Sequence, residues 1–322
     1  MKMITTIAGA ALALALALAQ GAWAQGYPSG PITFIIPLAA GDATDTAARA
    51  IGDEVSRELK VPVVPANHPG AGGALGASLL VKAPKDGYTI GIPNNAALVF
   101  RAIIDPKAAN YDPLKDLTPL ALAMRTPSIL AVGSTQPFKT FQEMVEYSKK
   151  NPGKVRIGTA GVGSVGDFCV RTINKLTGAG ITMVPYTGAV PGVTAMLGGH
   201  IEGVILALGT LTGHLQSGAV RGLAISSKWD DYPSIPTLAE LGYSQPLFGV
   251  WTAIFAPAGV PPEVTRVLVP ALEKAIRNPA LAARLKPLGI AADYQPPEKL
   301  VAEIKDEHQR VSEMARQAGV LK

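Results

Sequence analysis

The sequence predicts an α/β protein built as two lobes, and three observations carry that expectation. Short apolar runs alternate with amphipathic helical periods along most of the chain, the pattern of parallel sheets covered on both faces. Two segments, residues 32–59 (ITFIIPLAAGDATDTAARAIGDEVSREL) and 155–176 (VRIGTAGVGSVGDFCVRTINKL), share one design of buried strand, small-residue loop and amphipathic helix. The likeness is one of architecture rather than a sequence repeat. Finally, the chain left after an N-terminal leader, 322 − 24 = 298 residues, suits two cores better than one.

The leader is legible. Lys2 gives a basic start, residues 4–19 are nearly all apolar, and Ala22-Trp23-Ala24 forms a small-x-small cleavage site. This is the pattern of a secretory signal peptide cleaved after Ala24, so the expected compartment is the periplasm. No cysteine stands near the cleavage site to take a lipid, and no later stretch is long and apolar enough to span a bilayer. The single cysteine, Cys169, excludes an intramolecular disulfide. It falls on the apolar face Val165, Phe168, Thr172, Ile173 and Leu176, which predicts a buried, inert thiol. The net charge of +5 comes from Lys and Arg scattered singly, without a basic run or interleaved aromatics, so no nucleic-acid partner is expected.

Strands are expected at residues 33–37, 61–64, 89–92, 129–132, 155–158, 182–184, 204–208 and 223–225. Helices are expected at 46–59, 72–83, 140–149, 165–176 and 190–197, the first with a buried stripe of Ala48, Ile51, Val55 and Leu59. The last third changes character. Pro261 and Pro262 open a helix carrying Val264, Val267, Leu268 and Leu272, and NPALAARLKPLGI and PPEKLVAEIKDEHQRVSEMARQAG are helical by period. No third core is evident, so this tail should pack back onto the first lobe. Residues 25–125 and 247–322 are expected to form lobe 1, and 126–246 lobe 2.

Both small-residue loops open a helix, and free backbone N–H groups with the positive end of a helix dipole suit an anion. Asp42 puts a negative charge where that anion would sit. Ser164 lacks a glycine two residues before it, where Val162 stands, and has no obvious histidine base, so it is not a nucleophile elbow. The four histidines, His68, His200, His214 and His308, are dispersed without a pair suited to a metal. As a catalytic motif the second loop is weak, and no cofactor is expected.

The runs PSGPITFIIPLAAGDATDTAAR, NHPGAGGALGA and APKDGYTIGIPNN, followed by IGTAGVGS, VPYTGAVPGVTAMLGGHIE, AISSKWDDYPSIPTLAELGY and WTAIFAPAGVPPE, closely resemble the solute-binding proteins of tripartite tricarboxylate transporters, the Bug family. The resemblance spans essentially the whole chain after the leader. It implies a periplasmic type II binding-protein fold, with mixed, mostly parallel sheets in two lobes joined by two crossing strands. It also implies a monomer that closes on a small organic acid, amino acid or aromatic carboxylate. Such a receptor delivers its ligand to membrane transporter subunits or presents it to a sensor kinase.

By that resemblance the lobe 1 ligand loop is Leu38, Ala39, Ala40, Gly41, Asp42, Ala43, Thr44 and Asp45, with Thr44 or Asp45 available to cap the helix. Its lobe 2 counterpart is Thr159, Ala160, Gly161, Val162, Gly163 and Ser164. Asn94 and Asn95 match a segment facing the cleft, where at least one meets the ligand or a bridging water. Tyr186, with Thr187, lies at the same level of lobe 2 and either touches ligand or holds the loops. Asp167 and Leu208, bordering these loops, complete the candidate set. Three departures stand out. Asp42 replaces a usual glycine, Val165-Gly166-Asp167 replaces a polar continuation after Ser164, and residues 204–209 (VILALG) replace a polar strand end. Together they predict a ligand with an apolar body and a positive group rather than citrate.

Overall fold

The structure, a computed structural model, describes residues 26–104 and 110–317, so the predicted leader lies outside the described residues. The chain begins with β1 (Ile32–Ile36), α1 (Ala43–Leu59), β2 (Val63–Asn67), α2 (Ala74–Val81) and β3 (Thr89–Gly91). A π turn (Ala96–Phe100) then runs into α3 (Arg101–Ile104), followed by the long β4 (Leu117–Thr126). The middle holds β5 (Ser128–Gly133), α4 (Phe141–Lys150), β6 (Arg156–Thr159), α5 (Val165–Thr177) and β7 (Thr182–Pro185). It continues through α6 (Ala189–Leu197), β8 (Gly203–Ala207), α7 (Leu208–Gln216) and β9 (Val220–Ile225). The last third is β10 (Val250–Pro257), α8 (Pro262–Ile276), α9 (Pro279–Leu285), β11 (Ala291–Gln295) and α10 (Pro297–Gln317).

These strands make two sheets, in the orders β11-β4-β10-β3-β1-β2 and β7-β6-β8-β5-β9. Pairing is parallel at β1–β2, β1–β3, β6–β7 and β6–β8, where helical crossovers join the strands. The strands that enter or leave a lobe, β4, β5 and β10, and the edge strand β11 pair antiparallel, so both sheets are mixed. The chain passes between sheets at Pro127 and returns at Gly249, and Val250 pairs with Thr126, which sets the two crossings side by side.

The helix after the first loop starts at Ala43, earlier than periodicity indicated, because Asp42 rather than Thr44 or Asp45 is its N-cap. The expected 72–83 helix starts at Ala74, since Gly72 and Gly73 take φ of 65° and 102° in a tight turn before it. Helix α7 begins where residues 204–208 were expected to end a strand. NPALAARLKPLGI is helical only to Leu285, and a short 3-10 turn and Gly289 (φ 71°) then lead into strand β11. The strands β4, β10 and β11 were not expected. LTPLALAMRT and VWTAIFAP are continuous apolar runs that periodicity cannot assign, and AADYQ is a half-buried edge strand.

The C-terminal helices pack onto the first sheet, with Leu268 and Leu272 of α8 sharing a core with Phe34, Ile51 and Val55. A second core is common to both lobes. Phe100 from the π turn, Phe168 from α5 and Phe248 from the returning crossing stand edge to face, with ring centroids 5.3–5.5 Å apart. Cys169 is buried beside them with its thiol 3.8 Å from the Phe248 carbonyl, and burial pushes that thiol up to about 12. Because the aromatic cluster joins the lobes, urea should unfold both in one transition, reported identically by Trp229 and Trp251. Phe168→Ala should cost about 3–5 kcal/mol. Two separated transitions in the unaltered protein would overturn this.

Candidate functional site

The two small-residue loops turn out to be one motif used twice. Gly41-Asp42-Ala43-Thr44-Asp45-Thr46-Ala47-Ala48-Arg49 superposes in role on Gly163-Ser164-Val165-Gly166-Asp167-Phe168-Cys169-Val170-Arg171, so the likeness reaches residue level at three positions. Gly41 and Gly163 take φ of 84° and 78°, a region glycine enters without steric cost. Their N–H groups donate to Asp45 Oδ2 (3.0 Å) and Asp167 Oδ2 (2.9 Å), each one turn into the helix. The other carboxylate oxygen accepts Nε of Arg49 (2.9 Å) or Arg171 (2.8 Å). One residue on, Asp42 N and Ser164 N donate to the carbonyls of Ala39 and Gly161 at 3.1 and 3.2 Å. Asp45 and Asp167 therefore hold their loops from beneath. Burial pushes Asp45 up, but hydrogen bonds from Arg49, Asn67 and Gly41 outweigh it and hold the carboxyl below its ordinary range.

The two loops face each other across a cleft closed down to a cavity of about 40 Å³. A cavity of that size takes no more than a few water molecules. Polar lining comes from Asp42, Thr44, Asn94, Ser128 and Ser164, with Val165 and Gly166 of the α5 start beside them. Apolar lining comes from Leu38, Ala96, Ala160, Ala189, Val250 and the β8 residues Ile205, Leu206 and Ala207. Contacts between lobes close the mouth. Ala43 N donates to Thr210 Oγ1 (3.3 Å), Arg101 Nη1 donates to the Val162 carbonyl (2.8 Å), and Gly72 lies against the Ser164 backbone.

The two sides of this cavity differ electrostatically. On lobe 1, Asp42 is only 5 % exposed and its Oδ1 accepts Thr44 N at 2.8 Å, so the chain's own carboxyl occupies the helix N-terminus. Burial, opposed only in part by hydrogen bonds from Thr44, pushes its pKa up to about 6. On lobe 2 the cap is neutral. Ser164 Oγ accepts Asp167 N at 3.2 Å, and the amides of Val165 and Gly166 make no hydrogen bond among the described residues. Gly166 is required there, since a Cβ would lie 2.4 Å from the Ile205 carbonyl. One wall thus ends in a carboxyl and the other in an anion-binding helix start.

Of the expected ligand residues, Leu38, Asp42, Asn94, Ala160 and Ser164 line the cavity. The others do not. Gly41, Gly161 and Gly163 shape the turns, and Ala39 sits at the mouth opposite Gly188. Ala40 is exposed in the loop, and Thr159 is buried at the end of β6, its hydroxyl turned to Gly161. The Tyr186 ring packs over Gly158 and Gly192 in the lobe 2 core, and Leu208 starts α7 against Gly289. Asn95 points away from the cleft, donating to the Gly249 carbonyl (3.0 Å) and Glu307 Oε1 (3.2 Å). Thr44, part of the expected loop, lines the cavity too, while Gly72, Ala96, Ala189, Ser128 and Val250 were missed. The last two stand on the crossing strands, and only tertiary structure brings them to the loops. Among the described residues no three His, Cys, Asp or Glu side chains gather as a metal site.

Two predictions follow from these loops. Asp42 holds a proton more tightly folded than unfolded, so its contribution to stability is full below pH about 4 and is lost as pH rises through about 6. Asp42→Asn keeps the cap and removes that loss. It should match the unaltered protein at pH 4 and exceed it by on the order of 3 kcal/mol at pH 8 in urea titrations. Asp167→Ala, which strands Arg171 and the Gly163 N–H, should cost on the order of 3 kcal/mol at pH 7 in the same assay.

Comparison with known proteins adds the lineage. Residues 47–320 match the family described as the tripartite tricarboxylate transporter family receptor. A protein of the TAR-I ttuE-ttuC' intergenic region of Agrobacterium vitis is 34% identical over 298 residues, 91% of this chain and 86% of that one. Protein BugT of Bordetella pertussis is 30% identical over 298 residues, 92% of this chain and 91% of that one. Among solved structures, one described as a periplasmic transporter superposes with a TM-score of 0.88 at 33% identity, covering 92% of this chain and 99% of that one. Rpa4515 of R. palustris with adipate gives 0.87 at 26%, covering 91% and 98%. MatC of Rhodopseudomonas palustris with bound malate gives 0.83 at 29%, covering 89% and 99%. The chain belongs to the tripartite tricarboxylate transporter receptor family, and is a solute-binding protein of the Bug type rather than an enzyme.

Proposed function

We propose that this protein is an exported periplasmic receptor that encloses a small organic acid between its lobes and delivers it to the membrane subunits of a tripartite tricarboxylate-type transporter. The observation that carries the reading is the pair of uncommitted amides, Val165 and Gly166, at the start of α5 on the interlobe cavity. They suit one carboxylate. Relatives solved with malate and adipate bind acids with two. Here the opposite helix start is already filled by Asp42, so a second ligand carboxylate would meet a carboxyl in place of free amides. A group that donates hydrogen bonds, such as an ammonium, meets the Asp42 oxygen left over from the cap. The apolar wall of Leu38, Ile205 and Leu206 takes the remaining body. The favoured ligand is a zwitterion such as an amino acid with an apolar side chain, and the cleft must part to admit it.

The test is to purify the protein, identify any released ligand by mass spectrometry, and screen acids, amino acids and amines by thermal shift. N-terminal sequencing of the exported protein should begin at Gln25. With an amine-bearing ligand in hand, Asp42→Asn should weaken its binding roughly 10-fold or more, the worth of one charged hydrogen bond, and spare the desamino analogue. Equal effects on both would remove Asp42 from the specificity argument. A preference for dicarboxylates would overturn the zwitterion reading and leave the receptor reading in place.

A further inference from the structure

The twin loops are anchored differently. On lobe 1 the loop is tied to its own sheet by Asn67, the last residue of β2. Its Nδ2 donates to the Leu38 carbonyl at 2.9 Å and to Asp45 Oδ1 at 2.8 Å. Asn67 is the register partner of Ile36, where β1 ends and the loop begins. On lobe 2 the matching place, opposite Thr159 at the end of β6, is taken by Pro185 of β7, which has no donor to offer. The lobe 2 loop therefore lacks the strand-end anchor that its twin possesses.

An anchor reaches it from the other lobe instead. Arg101, the first residue of α3, donates from Nη1 to the Val162 carbonyl at 2.8 Å. Its stem runs along the loop so closely that a Cβ on Gly163 would lie 3.0 Å from Arg101 Cδ. Phe100, the residue before, packs on Phe168 of α5 and keeps Arg101 beside the loop. Among the described residues, the remaining hydrogen bonds of residues 160–164 come from lobe 2 itself, through Thr159, Asp167 and the turn. Residues 38–42 bond only within lobe 1. On that side the bond between lobes, Ala43 N to Thr210 Oγ1 at 3.3 Å, falls on the helix past the loop.

We propose that Arg101 is a positioning residue for ligand capture, which reaches across the cleft to complete the lobe 2 loop and so sets the Val165 and Gly166 amides for a carboxylate. The bond joins the lobes and breaks when they part, so these amides take their final setting as the cleft closes. Lobe 1 presents Asp42 on a loop already finished within its own sheet. Closure thus adds an interaction that the open form lacks, the kind of difference a ligand needs in order to shift the lobes. A guanidinium on a carbonyl is a charged hydrogen bond, at the strong end of the range. The part played by the amides rests on the carboxylate reading of the α5 start, whereas the dependence of the loop on Arg101 does not.

The experiment compares the twin loops in the whole protein by backbone amide hydrogen exchange, followed residue by residue with NMR. Arg101→Met keeps the stem over Gly163 and removes the donor. Its Gly163 and Ser164 amides should exchange about 10-fold faster, the worth of one charged hydrogen bond, while Gly41 and Asp42 keep the parent's rates. Arg101→Lys retains a donor and should restore part of the protection. A purely structural loss would loosen both loops alike, so equal acceleration overturns the proposal, as does an unchanged Gly163. Acetate, a carboxylate without an amine, is the ligand probe. In the parent it should shift the Val165 and Gly166 resonances, and Arg101→Met should weaken that titration about 10-fold. An identical titration in the variant would overturn the role in capture. Acetate that moves neither amide in the parent would instead refute the carboxylate reading of the α5 start, and the exchange comparison alone would then decide the role of Arg101.

Discussion

The geometry of the cleft depends on one interaction made twice: a carboxylate in the first turn of a helix capturing the N–H of the glycine before the cap. Asp45 does this for Gly41 and Asp167 for Gly163, and an arginine one turn further locks each carboxylate. The bond fixes the loop to the helix so that the next amides project past the cap instead of folding back onto it. That bond sets the course of each small-residue loop beside the cavity. It also explains why Asp45 and Asp167, which belong to the expected ligand set, do their work from below. A carboxylate saturated by a backbone N–H and a guanidinium has little left to offer a ligand.

Identical scaffolds make the difference at the cap decisive. With Ser164 at the cap of α5, the helix start stays neutral and electron-poor. With Asp42 at the cap of α1, the dipole is answered by the chain itself. The cleft is thereby polarised from one lobe to the other, although its two halves are built alike. Solvent exclusion strengthens the contrast, because charge is worth more in a small closed cavity than in water. Asp42 bears the cost as a carboxyl that holds its proton to about pH 6.

The sequence made the α/β class and the two strand–loop–helix units legible, because each is written in local periodicity. It also placed Leu38, Asp42, Asn94, Ala160 and Ser164 in the cleft. What it could not show follows from the kind of information involved. The crossing strands β4 and β10 are apolar throughout, so their period is silent, and Ser128 and Val250 reach the cleft only through the pairing of distant strands. Asn94 and Asn95 are indistinguishable as letters, yet strand geometry sends one side chain to the cleft and the other to the hinge. The shared Gly, Asp and Arg of the two loops were present in the text. Their equivalence became visible only once hydrogen bonds gave each position a role.

That division between the asparagines bears on how closure and recognition are coupled. A ligand shifts the lobes only by binding the closed form better than the open one. Here the residue that lines the ligand cavity and the residue that braces the hinge are consecutive on one short segment, and cannot move independently. Phe100, five residues beyond Asn95, carries the same segment into the aromatic cluster with Phe168 and Phe248. Asn94 at the cavity is thus joined through one segment to a hydrogen bond on the Gly249 carbonyl and to the packing between lobes. Separation of recognition from closure would require breaking this segment, and the fold offers no joint within it.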